Sequence, residues 1–241
     1  MENAIEVKEF VKDFGTKRAV DHISLTVKKG ELFSLLGVNG AGKTTTIRML
    51  SGLSRPTGGD AFVMGHSVVK ELSEVKKVSN LSPQETAVAP NLTVRENLIL
   101  IARIYGASKK DAWKRADMLI GQCGMEEVAG KKAKLLSGGW QRRLSIAMAL
   151  ITQPEVLYLD EPTLGLDVLA RRELWKVIES LKKSVTIVLT THYMEEAEAL
   201  SDHVAVMING VIAAYGTVGE LKAETGTDTL EEAFITIAEK A

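Results

Sequence analysis

One stretch constrains the fold of this 241-residue chain more than any other, and it runs from Leu32 to Leu50. Leu32-Phe33-Ser34-Leu35-Leu36 is a short apolar run that reads as a buried strand. Gly37-Val38-Asn39-Gly40-Ala41-Gly42-Lys43-Thr44-Thr45 then turns the chain. A helix-forming stretch follows from Thr44 to Leu50, stopped near Gly52. The spacing matches G-x-x-x-x-G-K-[ST] in the strand–loop–helix setting that this phosphate-binding pattern requires. Glycines let successive backbone N–H groups converge on a polyphosphate, and the helix behind them presents its positive end. In such a loop Lys43 reaches the β- and γ-phosphates and the Thr44 hydroxyl ligates Mg2+. The plain alternative is a tight turn, but the pattern arises by chance in roughly one chain of this length in a hundred. The chain is therefore expected to bind a nucleotide.

The remaining punctuation points to one α/β unit built around that loop. Residues 4–27 read as strands, with Ile23, Leu25 and Val27 alternating against Ser24 and Thr26. Arg55-Pro56-Thr57-Gly58-Gly59 is a loop, Asp60 to Met64 returns to strand, and Val75 to Leu81 reads as another short strand. Beyond Ser82-Pro83-Gln84-Glu85 the character becomes helical. Thr93-Val94-Arg95-Glu96 is a capping box, Ser108 opens a second helix closed by Gly124, and a third runs from Gly138 to Ile151. Val156 to Leu159 and Val185 to Leu189 are nearly all apolar, as parallel strands covered on both faces are. Asp167 caps a helix over Val168 to Leu181. Asn209-Gly210 marks a hairpin, and Thr217 and Thr229 cap two short closing helices.

Composition narrows the setting. A formal net charge of −1 gives no bulk basic field for nucleic acid, so no nucleic-acid partner is expected. Cys123, the single cysteine, excludes an internal disulfide and suits a reducing cytosol; at helical spacing from Ala116, Leu119 and Ile120 it reads as core. Met1-Glu2-Asn3-Ala4 shows no signal sequence, and no apolar run approaches the ~18 residues that span a bilayer. If the protein serves a membrane process, another chain is expected to supply the membrane part.

A phosphate loop alone leaves GTPase, kinase, helicase and transporter readings open, and three stretches separate them. Leu159-Asp160-Glu161-Pro162 ends a buried strand in two carboxylates. Asp160 suits the Mg2+ shell, directly or through water, and Glu161 suits a base polarising the attacking water. His192 ends the next strand in Thr190-Thr191-His192, within reach of a γ-phosphate. Leu136-Ser137-Gly138-Gly139-Trp140-Gln141 places a hydroxyl and two glycines at a helix start, a second anion site. A guanine-reading Asn-Lys-x-Asp is missing from the sequence.

Together these residues resemble the ATP-binding subunit of an ABC transporter, over essentially the whole chain. The resemblance implies a P-loop NTPase (RecA-like) parallel-sheet core with an N-terminal antiparallel β-subdomain and an inserted α-helical subdomain. The core would span about 1–87 and 154–223, the helical subdomain 88–153 and a helical tail 224–241. It implies that Phe14 stacks on adenine, that Gly37 to Thr45 (Gly37, Asn39, Gly40, Ala41, Gly42, Lys43, Thr44, Thr45) is the Walker A loop, and that Gln84 is the Q-loop glutamine. Ser137, Gly138 and Gly139 belong to the signature, Asp160 and Glu161 are the Walker B pair, Gly165-Leu166-Asp167 is the D-loop and His192 the switch histidine. Lys43, Gln84, Glu161 and His192 would carry catalysis, and Thr44, Gln84 and Asp160 would hold Mg2+. Two departures stand out: Trp140 where Gln or Met is usual, and Phe14 where Tyr is commoner. The plainer reading of Phe14 is a core residue.

The same resemblance implies ATP and Mg2+ as ligands, a second ATP-binding subunit facing the first head to tail, and transmembrane permease subunits. The chain would then sit on the cytoplasmic face of the membrane. Leu92 to Leu98 and the tail Thr229 to Phe234 look like export-type subunits, and the groove beside Gln84, bordered by Glu85 to Asn91, is expected to receive a permease helix. A soluble ABC ATPase acting on ribosomes, DNA or cofactor assembly is the rival reading. Such proteins usually carry paired ATPase units, coiled-coil insertions or basic arms, which are not visible here.

Overall fold

The computed structural model describes residues 2–182 and 184–241. β1 (Asn3–Phe14) and β2 (Lys17–Lys28) form a hairpin about Gly15-Thr16, and β4 (Gly58–Val63) and β5 (His66–Ser67) extend it into an antiparallel sheet of order β2-β1-β4-β5. The second sheet contains β3 (Leu32–Leu36), β6 (Ser79–Ser82), β7 (Val156–Asp160), β8 (Thr186–Thr191), β9 (His203–Ile208) and β10 (Val211–Gly216), in order β10-β9-β3-β8-β7-β6. Its ladders are parallel except for the β9–β10 hairpin, where Asn209 and Gly210 both take the positive φ of a two-residue turn. Every residue of β3, β7 and β8 is buried, as the apolar runs require.

Helices cover both faces. α1 (Lys43–Leu50) follows β3 and buries Ile47, Met49 and Leu50 between the two sheets, against Phe10, Ile23 and Phe33. α3 (Val94–Ile104), α4 (Lys109–Gln122) and α5 (Gly138–Leu150) share a core with α6 (Val168–Leu181) and the opposite face of the parallel sheet. α7 (Met194–Leu200), α8 (Val218–Thr225) and α9 (Leu230–Lys240) close the end beside β9. The capping boxes at Thr93, Thr217 and Thr229 are formed, each threonine accepting from the backbone of a glutamate that bonds back. Cys123 is buried in the helical core, and burial pushes its thiol up to about 12, so it stays a protonated packing residue.

One expectation is corrected. Val75 to Leu81 is not a single strand: α2 (Leu72–Val78) takes Val75 to Val78, and the strand begins at Ser79. Leu72, Val75 and Val78 recur at helical spacing, and Ser79 Oγ donates back to Val75 O at 2.8 Å to close the helix.

The register then positions the chemistry. Leu35 lies beside Thr190, Leu36 beside Thr191, and Asp160 beside Thr190. The ends of β3, β7 and β8 therefore finish together on one edge, the carboxyl edge where open α/β sheets bind their ligands.

Candidate functional site

The loop after β3 is shaped by contacts that only glycine permits. A Cβ at Gly37 would stand 2.3 Å from the backbone oxygen of Met207, and one at Gly42 (φ +111) 2.6 Å from that of Ala19. With these approaches made, the loop curls over the start of α1. Lys43 is buried, its Nζ donating to Gly37 O at 2.7 Å and Val38 O at 3.1 Å and lying 3.3 Å from Glu161 Oε1. The ammonium is thus held at the loop's centre by two carbonyls and one carboxylate.

Behind α1, Thr44 Oγ1 donates to Asp160 Oδ1 at 2.9 Å, and Thr190 Oγ1 donates to the same oxygen at 2.6 Å. Thr44 and Asp160 are 116 positions apart in sequence and meet only because β3 and β7 flank β8. The donors are all hard oxygens, which suits Mg2+. Among the described residues, no three His, Cys, Asp or Glu side chains cluster as an all-protein metal cage.

Glu161 is buried and takes φ +44, an uncommon conformation for a non-glycine residue that costs about 1–3 kcal/mol. Its N–H donates to Thr190 O and Oγ1 at 3.1 and 3.0 Å, which holds the strained backbone in place. Its side chain is shared: Oε1 faces Lys43 and Oε2 lies 3.0 Å from His192 Nδ1.

Phe14, Asn39, Gly40, Ala41, Gly42, Lys43, Thr44, Thr45, Gln84, Glu161 and His192 line one cavity of about 470 Å3, with Gly37 and Asp160 buried beneath it. Phe14 is 55% exposed, so the core reading of it is wrong; its ring stands free at the cavity's edge with Lys12 Nζ 5.0 Å from the centroid. Ser137, Gly138 and Gly139 are not among the cavity's lining residues. Ser137 is exposed at the start of α5, and unlike Thr93, Ser108 and Asp167 it spends no side-chain hydrogen bond on its own helix. Trp140 is partly buried against the helical core, with Arg143 stacked 4.7 Å from its ring.

Sequence reading missed Thr190 and Arg142. Arg142 is buried beneath the site and donates to Pro83 O and Gln84 O, both at 2.5 Å, and to Glu161 O at 3.3 Å, tying three segments together. Burial pulls its guanidinium down from the ordinary arginine range, opposed by the charges of Asp160 and Glu196. The signal was legible: Arg142 falls on the same helical stripe as Ser145, Ile146 and Ala149, where a solvated arginine does not belong. Arg142→Leu leaves those carbonyls unpaired and should cost about 1–3 kcal/mol. A thermal melt should fall by about 2–12 °C, while Arg143→Leu at the neighbour, which binds no backbone carbonyl among the described residues, should move it less.

A separate cavity, reached from Pro83 just before Gln84, has an apolar lining of Leu81, Pro83, Ile101, Tyr105 and Met148. Within residues 85–91, Ala89 exchanges hydrogen bonds with the buried Asn97 side chain at 2.8 and 3.2 Å.

Residues 20–164 match the sequence model of the ABC transporter family. The daunorubicin/doxorubicin resistance ATP-binding protein DrrA of Streptomyces peucetius is 42% identical over 228 residues, covering 94% of this chain and 69% of that one. A solved ATP-binding subunit of an ABC transporter superposes with a TM-score of 0.84 at 28% identity, over 97% of this chain and 99% of the other. The ATP-binding cassette MJ0796, solved as a dimer in a post-hydrolysis state with ADP and Pi, gives 0.78 at 25% identity over 88% and 98%. The chain belongs to the ABC transporter family, as an ATP-binding, ATP-hydrolysing subunit.

Proposed function

We propose that this subunit powers export through separate transmembrane permease subunits, working as a head-to-tail pair at the cytoplasmic face of the membrane. The observation that carries the pairing is the division of the phosphate-binding groups. One set lines the cavity, while Ser137, Gly138 and Gly139 lie outside it on an exposed helix start with an uncommitted hydroxyl. An ATP seated on Gly37 to Thr45 then meets the signature of a second subunit. The dimeric solved cassette supports this arrangement, and the drug-resistance name of the Streptomyces relative supports outward transport.

Within one site, Phe14 stacks on adenine and Gly40 to Thr45 wrap the phosphates with backbone N–H groups. Lys43 pairs with the β- and γ-phosphates, drawing away from Glu161. Thr44 and Asp160, with Gln84, would hold Mg2+, which would neutralise charge on the phosphate oxygens. Glu161 then accepts hydrogen bonding from the attacking water as its base. His192 bridges Glu161 and the γ-phosphate. Base–aromatic stacking is worth about 1–3 kcal/mol, so Phe14→Ala should weaken ATP binding by about 5- to 150-fold in titration calorimetry.

The groove of Leu81, Pro83, Ile101, Tyr105 and Met148 receives a cytoplasmic permease helix. Ile104, the last residue of α3, and Tyr105, which follows it, are both well exposed and extend the apolar surface beside it. No helix among the described residues is long and apolar enough to cross a membrane, so the transport path belongs to that partner. Purification from native membranes tests the assembly: a polytopic permease should accompany the wild-type chain and be lost from an Ile104→Glu/Tyr105→Glu variant. Vesicles reconstituted with both should move cargo outward only with Mg2+ and ATP. Retention of the permease by the double variant overturns the groove assignment.

A further inference from the structure

Three of the buried polar atoms without a hydrogen-bond partner among the described residues share one neighbourhood: Thr163 Oγ1, Arg171 Nε and Glu196 Oε2. None of these residues lines the nucleotide cavity. Thr163 follows the Glu161-Pro162 turn, Arg171 lies in the first turns of α6, and Glu196 sits in α7 just after His192. Glu196 is fully buried, with Trp175 Nε1 donating to its Oε1 at 2.9 Å. The Thr163 hydroxyl faces the same carboxylate outside good hydrogen-bond geometry. Burial pushes the Glu196 carboxyl up from the ordinary carboxylate range, against the pull of Thr191, Trp175, Thr163 and the Arg171 charge. A carboxyl so incompletely satisfied would gain from a direct bond to Arg171.

Arg171 instead serves a different contact. Its guanidinium carbon lies 4.3 Å from the centroid of the Tyr193 ring, whose centroid in turn lies 4.1 Å from that of His192 at an interplanar angle of 39°. The Tyr193 N–H donates to Thr191 Oγ1 at 3.0 Å, a local turn that spans His192. His192 Nδ1 closes the series 3.0 Å from Glu161 Oε2. Guanidinium, phenol and tilted imidazole thus form a contiguous series of contacts running from α6 to the carboxylate at the reacting end of the cavity. A cation on a tyrosine face and an offset ring pair are each attractive. Together they remove the rotational freedom an imidazole would otherwise keep about its two side-chain torsions.

We propose that Arg171 is a positioning residue for ATP hydrolysis: by clamping Tyr193 onto His192 it holds the imidazole in the orientation that addresses Glu161 and the γ-phosphate. This rests on the reading of His192 given above. Misorienting a reacting group by a fraction of a bond length is enough to slow chemistry without weakening substrate binding.

The test uses the intact chain, with ATPase kinetics, ATP binding by calorimetry and side-chain NMR of isotope-labelled histidine. The chain has only four histidines, so the His192 ring signal can be identified by its loss in His192→Ala. Arg171→Gln and Tyr193→Leu should each lower kcat roughly tenfold with ATP affinity unchanged, and should shift the His192 ring signal while leaving those of His22, His66 and His203 in place. Tyr193→Phe, which keeps the ring, should restore the rate. In a His192→Ala background, Arg171→Gln should have no further effect, since the group it positions is gone. If Arg171→Gln slows the His192→Ala chain by the same factor as the wild type, or leaves the His192 signal unmoved, the positioning role is wrong. If His192→Ala itself turns over normally, the reading of His192 has failed, and the role of Arg171 falls with it.

Discussion

Glu161→Gln should abolish ATP hydrolysis by about 10²–10⁴-fold while leaving ATP binding within a few-fold of wild type. The argument is local. Glutamine keeps the length and planarity of the side chain, so contacts toward Lys43 and His192 survive as hydrogen bonds. Lys43 also retains Gly37 O and Val38 O as acceptors, which keeps the buried ammonium satisfied. What disappears is the basic oxygen that accepts the proton of the attacking water. With ATP bound and unreacted, the two subunits should stay closed on each other. Size-exclusion chromatography with Mg2+ and ATP should then show a dimer that the wild type forms only transiently. Wild-type turnover in this variant would remove Glu161 from the chemistry.

The second large effect concerns which subunit supplies Ser137. Lys43→Ala and Ser137→Arg chains should each be inactive alone, the first for want of the phosphate-binding ammonium and the second because an arginine blocks the helix start. Ser137 spends no hydrogen bond on capping α5 and is exposed, so the arginine should fold with little loss of stability. In a mixed dimer the two lesions fall on one composite site and leave the other with both motifs intact. Random pairing of equal amounts makes half the dimers mixed, so activity should recover to roughly a quarter of wild type if the sites act independently. Were Ser137 to act within its own chain, no pairing would restore a site, and the mixture would stay silent. The readout is phosphate release from co-refolded or co-expressed chains, normalised to wild type.

Patterns confined to one segment were legible in the sequence. The loop from Gly37 to Thr45, the capping boxes at Thr93, Thr217 and Thr229, the Asn209-Gly210 hairpin and the largely apolar strands β3 and β7 depend on neighbours within a few residues. Val75 to Val78 was misread because two valines around Lys76 and Lys77 are too few for periodicity to separate a helical turn from a strand. What could not be read was pairing across the sheet. Nothing local in Thr190 says that its hydroxyl meets Asp160 and its carbonyl meets Glu161. The positive φ of Glu161 likewise follows from the register of β7 against β8. Arg142 lies between, since its place on an apolar stripe was visible while its three carbonyl partners were not.

The strand order also bears on how the chain comes to be able to bind ATP. β3 pairs with β8 and β9, each more than 140 positions later, and the Thr44–Asp160 bond needs β7 and β8 in register as well. The helices α3 and α4, by contrast, are adjacent in sequence and pack on each other. Loop closure over such separations is slow, so the helical segment should form early and the parallel ladder late. The nucleotide site is therefore among the last features to appear during folding. ATP can reward only the finished molecule, stabilising it by mass action without guiding the chain toward it.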